Sequence, residues 1–266
     1  MVESVLPSQP SNRKFHFVSF GCKVNRYDGQ LVVEELERAG WTPADSVEDA
    51  DYVVVNCCVV TGRSAGRCRR AVRSMARKNS LAPLLVTGCQ TPDDAAATAS
   101  IDPRVQVAGQ GEGPAIVRRF LSSPLTKQGV SGLKDRTRAF VKIQDGCDLT
   151  CSYCVIPSIR GPSRSRPVPE ILAEVHRLLE AGYGEIVICG IRLGGVRDRD
   201  FGLADLLERI LAEEQGRYRI RLSSLNPAEV TDRLLEVMRQ DRRVARHLHL
   251  PLQSGDDGTL RRMRRP

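Results

Sequence analysis

The chain has 266 residues, 41% apolar and 27% charged, a balance that fits a globular protein and excludes a fibrous or disordered one. No apolar run approaches the roughly 18 residues of a membrane span. Residues 1–12 are polar and lack a signal-peptide core, so the expectation is a cytoplasmic protein with no membrane partner and a disordered start. The net charge of +8 suits a polyanion such as RNA, or else a well-solvated basic surface, and nine cysteines argue against a paired disulfide framework.

Strand and helix alternate from the start. Residues 15–20 read as a strand, 30–39 as a helix stopped by Gly40, and 52–55 as a strand buried on both faces. Over 63–78, Cys68, Val72, Met75 and Ala76 share one helical face, while Arg63, Arg67, Arg70 and Arg77 share another. Strands at 84–86 and 105–108 complete what reads as a parallel sheet with flanking helices. The stretch 122–138 is polar and rich in Gly, Ser, Lys and Arg, which places a linker at 123–138 between domains at 13–122 and 139–266. The rhythm then resumes with a strand at 139–144 and a helix at 169–181 whose Leu172, Val175 and Leu179 point inward. A strand at 185–189, a helix at 203–211 and an extended run at 219–222 follow. Asn226-Pro227 then caps a helix, and 247–252 reads as a fourth strand. The fold class is therefore α/β, a parallel-sheet domain followed by a partial β/α barrel, because four strand–helix units are too few to close one.

Chemistry concentrates directly after the strand at 139–144. Cys147, Cys151 and Cys154 are separated by three and then two residues, so one loop can curl three thiolates toward a point. Thiolates are soft ligands for zinc or for iron–sulfur clusters. Closed structural zinc sites usually take four protein ligands, and here the local set is three, which leaves one iron of a 4Fe-4S cluster open for a small molecule. On spacing alone, a zinc site and unligated thiols remain alternatives. Three more cysteines each follow a strand: Cys22 in Gly21-Cys22-Lys23-Val24-Asn25, Cys58 in Asn56-Cys57-Cys58, and Cys89 in Thr87-Gly88-Cys89-Gln90. In a parallel sheet such positions converge on one edge. Packing at strand ends is the alternative for them.

The segment from Cys147 to Cys154, with Tyr153 before the last cysteine, resembles the radical S-adenosylmethionine signature. The upstream trio resembles the N-terminal domain of the methylthiotransferases, so the two resemblances together span residues 15–265. The Gly21-to-Asn25 run, Gln144 to Cys147, Ile156-Pro157 with Arg160-Gly161, and Leu248 to Ser254 look most like the branch acting on threonylcarbamoyladenosine in tRNA. The isopentenyladenosine and ribosomal-protein branches are the alternatives, as is an inactive metal- or RNA-binding fragment.

That resemblance implies a transferase with two 4Fe-4S clusters, one on Cys22, Cys58 and Cys89 and one on Cys147, Cys151 and Cys154. Cys57 stands where the family usually has threonine and competes with Cys58. The resemblance further implies S-adenosylmethionine near Tyr153, Gly190, Ser223 and Gln253. One such cofactor would methylate a sulfur carried on the first cluster, and a second would give the radical that attacks carbon 2 of the modified adenosine beside the anticodon. Partners implied are the tRNA anticodon stem-loop and an electron donor such as flavodoxin or ferredoxin. Arg160, Arg164 and Arg166 are read as RNA-facing at the mouth of the site. The family continues with further barrel strands and a small RNA-binding domain, so a C-terminally truncated chain is expected.

Overall fold

A computed structural model describes residues 13–121, 129–132, 137–197 and 201–266. The expected disorder of 1–12 and most of the expected linker, 123–128 and 133–136, lie outside the described residues. In chain order the first half runs β1 (Lys14–Ser19), α1 (Lys23–Arg38), β2 (Thr42–Pro43), β3 (Tyr52–Cys58), α2 (Gly62–Lys78), β4 (Leu84–Cys89), α3 (Pro92–Ala99), β5 (Val105–Val107) and α4 (Gly113–Leu121). Its sheet has the order β2-β1-β3-β4-β5, parallel throughout. Every residue of β3 and β4 is buried, as expected for central strands covered on both faces. Cys68, Val72 and Ala76 of α2 cover one face, and Val32, Val33 and Leu36 of α1 with Val117 of α4 cover the other. Thr61 caps α2 by accepting from Ser64 N at 3.2 Å, and Thr91 caps α3 by accepting from Asp94 N at 3.1 Å.

The second half runs β6 (Arg138–Asp145), α5 (Ile156–Arg160), β7 (Arg164–Ser165), α6 (Val168–Glu180), β8 (Glu185–Gly190), α7 (Leu203–Glu213), β9 (Arg219–Leu222), α8 (Asp232–Gln240) and α9 (Asp257–Arg262). The order is β7-β6-β8-β9, with β6, β8 and β9 parallel and β7 an antiparallel edge. Val141, Ile186 and Ile188 pack under α6 and α7 on one face. On the other face Phe140, Val187 and Cys189 meet Val24 and Tyr27 of α1. A single helix thus lies between the two sheets and is buried against both.

Several expectations are corrected. The first helix begins at Lys23 rather than at 30, because its polar Asn25 and Asp28 find buried partners instead of solvent. The inward face of α6 is Ile171, Glu174, Val175 and Leu178, with Leu172 and Leu179 at the margin of the core. Burial of Glu174 is what rotates that face, since its carboxylate receives Tyr27 Oη, Val130 N and Arg166. Asn226 caps nothing through its side chain; a 3-10 turn, Pro227–Glu229, follows it, and Thr231 caps α8 through Leu234 N at 3.2 Å. The stretch 247–252 forms no ladder, and the chain touches the line of β9 only at bridges from Val244 to Ile220 and from His249 to Ser224. Among the described residues no helix is long and apolar enough to cross a membrane.

Candidate functional site

The C-terminal ends of β1, β3 and β4 carry the first cysteine trio. Cys58 and Cys89 are register partners in the ladder, and Val59 N donates to Cys89 O at 3.2 Å. The chain leaving β1 turns at Gly21, whose φ is +99°, and starts α1 at Cys22. A Cβ on Gly21 would stand 2.7 Å from Cys58 Cβ, so the turn that delivers Cys22 lies directly against Cys58. Alternation along β3 separates the competing pair. Cys57 is fully buried in the core beneath α2, while Cys58 faces the Gly21 turn. The neighbouring Cys68 together with burial pushes the Cys57 thiol far up, while Cys68, which accepts from Cys58 N at 3.3 Å, is drawn down to about 7.

Asn25, which the sequence offered only as part of a quoted run, fastens this edge. Its Nδ2 donates to Phe20 O at 2.7 Å and to Cys57 O at 2.8 Å, and its Oδ1 accepts from Cys89 Sγ at 3.7 Å. One buried amide therefore ties the ends of three strands. Burial raises the Cys58 thiol and pushes Cys89 up to about 11, against the pull of the nearby Arg160 cation.

The second trio follows β6. Gly146, at φ +71°, brings the chain so close to Pro162 that a Cβ would sit 1.9 Å from its carbonyl oxygen. Cys147 N donates to Gly161 O at 3.0 Å, Leu149 N to Cys147 Sγ at 3.4 Å, and Cys154 N to Cys151 O at 3.1 Å. Buried Gln144 knits the loop to the neighbouring strand, giving Nε2 to Asp145 O, Gly146 O and Ser163 Oγ while Oε1 accepts from Arg192 N at 2.7 Å. The end of α9 supports the loop from below through Ser152 N to Met263 O at 3.0 Å. Burial raises the Cys147 thiol, partly offset by the amide of Leu149 and by Arg192.

Tyr153 stands half exposed beside this loop. Gly190 closes β8 with its Cα against Gln144, Ser223 is buried just past β9, and Gln253 lies exposed in a left-handed conformation at φ +69°. Gly190 and Ser223, at the ends of β8 and β9, share the strand-end edge that carries Cys147 after β6. Asn226 and Glu229 lie there too, each with buried polar atoms that have no partner. Sequence reasoning read Asn226 only as a helix cap and missed Glu229.

Arg160 departs most from expectation. Its side chain is 0% exposed, so it cannot meet a phosphate at the surface. Instead Nε and Nη2 donate to Cys89 Sγ at 3.1 and 3.0 Å, Nη2 also to Asp28 Oδ2 at 3.0 Å, and Nη1 to Asp145 Oδ1 at 2.8 Å. Lys142 joins both carboxylates. Arg166 is likewise drawn inward, paired with Glu174 at 2.6 Å and donating to Tyr27 Oη at 3.0 Å. The reading of Arg160 as RNA-facing is therefore corrected, because the carboxylates of Asp28 and Asp145 claim its buried guanidinium, whereas Arg166, though paired with Glu174, still lines a cleft beside Arg164. Arg164 remains exposed, on the rim of a cleft of about 390 Å³ that Tyr27, Lys142, Gln144 and Asp145 also line. Arg63, Arg67, Arg70 and Arg77 of α2 are exposed as well.

Among the described residues, no three His, Cys, Asp or Glu side chains converge tightly enough to hold a single metal ion. A cubane offers a separate iron to each thiolate and so asks for a wider triangle. The donor chemistry of each trio fits an iron–sulfur cluster: three soft sulfurs apiece at or just after strand ends, with the side-chain atoms of half-buried Gln90, next to Cys89, buried without a partner.

Residues 14–109 match the model of uncharacterized protein family UPF0004, and residues 141–266 match that of the radical SAM superfamily. Threonylcarbamoyladenosine tRNA methylthiotransferase MtaB of Chlamydia pneumoniae is 37% identical over 254 residues, covering 94% of this chain and 60% of the relative. The enzyme of that name from Bacillus subtilis (strain 168) is 33% identical over 268 residues, covering 94% and 59%. The chain thus spans about 60% of the length of the curated relatives it matches. A solved structure of the radical S-adenosylmethionine methyltransferase TsrM from Kitasatospora setae superposes with a TM-score of 0.58 at 12% identity, covering 94% of this chain and 60% of that one, a likeness of fold alone.

Proposed function

The chain belongs to the radical SAM methylthiotransferase family, and from that premise we propose that it adds a methylthio group to carbon 2 of threonylcarbamoyladenosine beside the tRNA anticodon. One observation carries the reading. Arg160, six residues past Cys154, donates to the sulfur of Cys89, so the helix that follows one cysteine trio touches a thiol of the other. Two cysteine sets serving one reaction need that proximity; two unrelated structural sites do not.

In this reading Cys22, Cys58 and Cys89 hold one 4Fe-4S cluster, Cys147, Cys151 and Cys154 hold the other, and Tyr153, Gly190, Ser223 and Gln253 line the S-adenosylmethionine site. When bound, the clusters and the sulfonium cofactor supply the electron, the radical and the transferred sulfur. The chain's own residues do the positioning. Gln144 fixes the cysteine loop to the end of β8, and Asn25 fixes the strand ends beneath Cys58 and Cys89. Arg164 and the α2 arginines are the basic groups open to tRNA, in a cytoplasmic setting with a flavodoxin- or ferredoxin-type electron donor. The preference for threonylcarbamoyladenosine rests on the Gly21-to-Asn25 run and on the names of the two relatives.

Nucleoside mass spectrometry of tRNA from a strain lacking the gene is the test. The methylthio derivative of threonylcarbamoyladenosine is expected to vanish while its precursor accumulates. Persistence of that derivative, or loss of the isopentenyl one in its place, overturns the assignment.

A further inference from the structure

A guanidinium buried between two halves of a molecule must be neutralised, and Arg160 is: Asp28 of α1 and Asp145 of β6 take Nη2 and Nη1 at 3.0 and 2.8 Å. Those carboxylates already have a second cation in Lys142, so charge balance does not explain the rest of the geometry. Nε and Nη2 are both spent on a single acceptor, the sulfur of Cys89, at 3.1 and 3.0 Å. Donor and acceptor are 71 residues apart, the donor at the end of α5 and the acceptor at the end of β4 in the first sheet. Cys89 is 1% exposed, so no solvent competes for that sulfur.

The geometry points to Arg160 as a positioning residue for the other half of the molecule: its two N–H donors hold Cys89 in place and raise the reduction potential of the cluster carried by Cys22, Cys58 and Cys89. The inference rests on the reading that this trio carries a cluster. Its physics is general. Hydrogen bonds to a ligating sulfur draw electron density from it and favour the reduced, more negative state, and a fixed positive charge acts in the same direction. Because the donors come from the helix that follows Cys154, the electronic state of one trio depends on the seating of the other's loop.

The test uses the full chain with Cys147, Cys151 and Cys154 replaced by alanine, so that only the first trio can load. Iron analysis after anaerobic reconstitution is expected to give about four irons per chain, and a redox titration followed by electron paramagnetic resonance gives the midpoint. Adding Arg160→Gln is expected to lower that midpoint by about 59 mV or more, a tenfold change in the reduced-to-oxidised ratio for one electron. Arg160→Lys keeps the cation but cannot set two donors on one sulfur, and is expected to fall between. Glu174→Gln disturbs the same seam without touching Cys89 and is expected to leave the midpoint in place. An unchanged midpoint in the glutamine variant with its iron retained overturns the inference, as does an equal shift from Glu174→Gln. Should the glutamine variant fail to fold, an unchanged midpoint in Arg160→Lys overturns it alone. A parent that gathers no iron sinks the cluster reading itself, and iron analysis tells that failure apart.

Discussion

At the scale of single residues the site depends on side chains whose value comes from where their partners sit. Asn25 is fully buried and supplies both amide hydrogens to carbonyls at two different strand ends. Replacing it by alanine strands those carbonyls, and an unsatisfied buried polar group costs about 1–3 kcal/mol. Asn25→Ala is therefore expected to lower urea stability by that amount and to reduce the iron retained by the first trio; equal stability in variant and parent contradicts the role. The placement of the cysteines at strand ends was legible in the sequence because each closes or follows a short apolar run. The fate of Arg160 was not, because its acceptor Asp28 lies 132 residues away and spacing along the chain says nothing about that meeting.

Among elements, α1 joins the two sheets. Tyr27 Oη donates to the carboxylate of Glu174 at 2.9 Å across the seam, and Glu174 is fully buried. The same carboxylate and burial hold the Tyr27 hydroxyl far above its usual range. Tyr27→Phe removes one donor from a buried charge, and a loss of about 2 kcal/mol is expected in chemical denaturation; a loss under a few tenths would show the contact to be idle. The sequence pattern placed α1 and α6 but misjudged the start of one and the facing of the other. Amphipathic periodicity assumes that polar residues look outward, and Asn25, Asp28 and Glu174 do not. Between β8 and β9, Arg221 Nε donates to Glu185 Oε1 at 2.6 Å, and that bond holds the carboxyl below its ordinary 4.5. A depressed carboxyl contributes stability above its unfolded value and loses it as pH falls through the folded one. Stability is expected to decline below about pH 4.5 by more in the parent than in Glu185→Gln, and identical pH profiles would rule the contribution out.

For the molecule as a whole, alternation of strand and helix was enough to give two α/β sheets, since the runs at β3, β4 and β8 are short, largely apolar and punctuated. How the two sheets dock was not readable, because the docking joins residues far apart in the chain, chiefly through one face of one helix and through Arg160. Val24, Tyr27 and Leu31 of α1 pack against Phe140, Val187 and Cys189 of the second sheet. Residues 13–121 made alone would present that face to water. Such a fragment is expected to bind a hydrophobic dye and to unfold at lower denaturant than the same region within the full chain. If the fragment is as stable as the full chain and binds no dye, the shared face contributes nothing.

The shared helix also fixes how cargo can travel. Two slabs clamped on a common rod cannot swing apart like the shells of a clam, for any such opening would strip the rod bare along one side. The crest where the strands stop carries the cysteines, so cargo arriving from that side meets the sulfurs without parting the slabs.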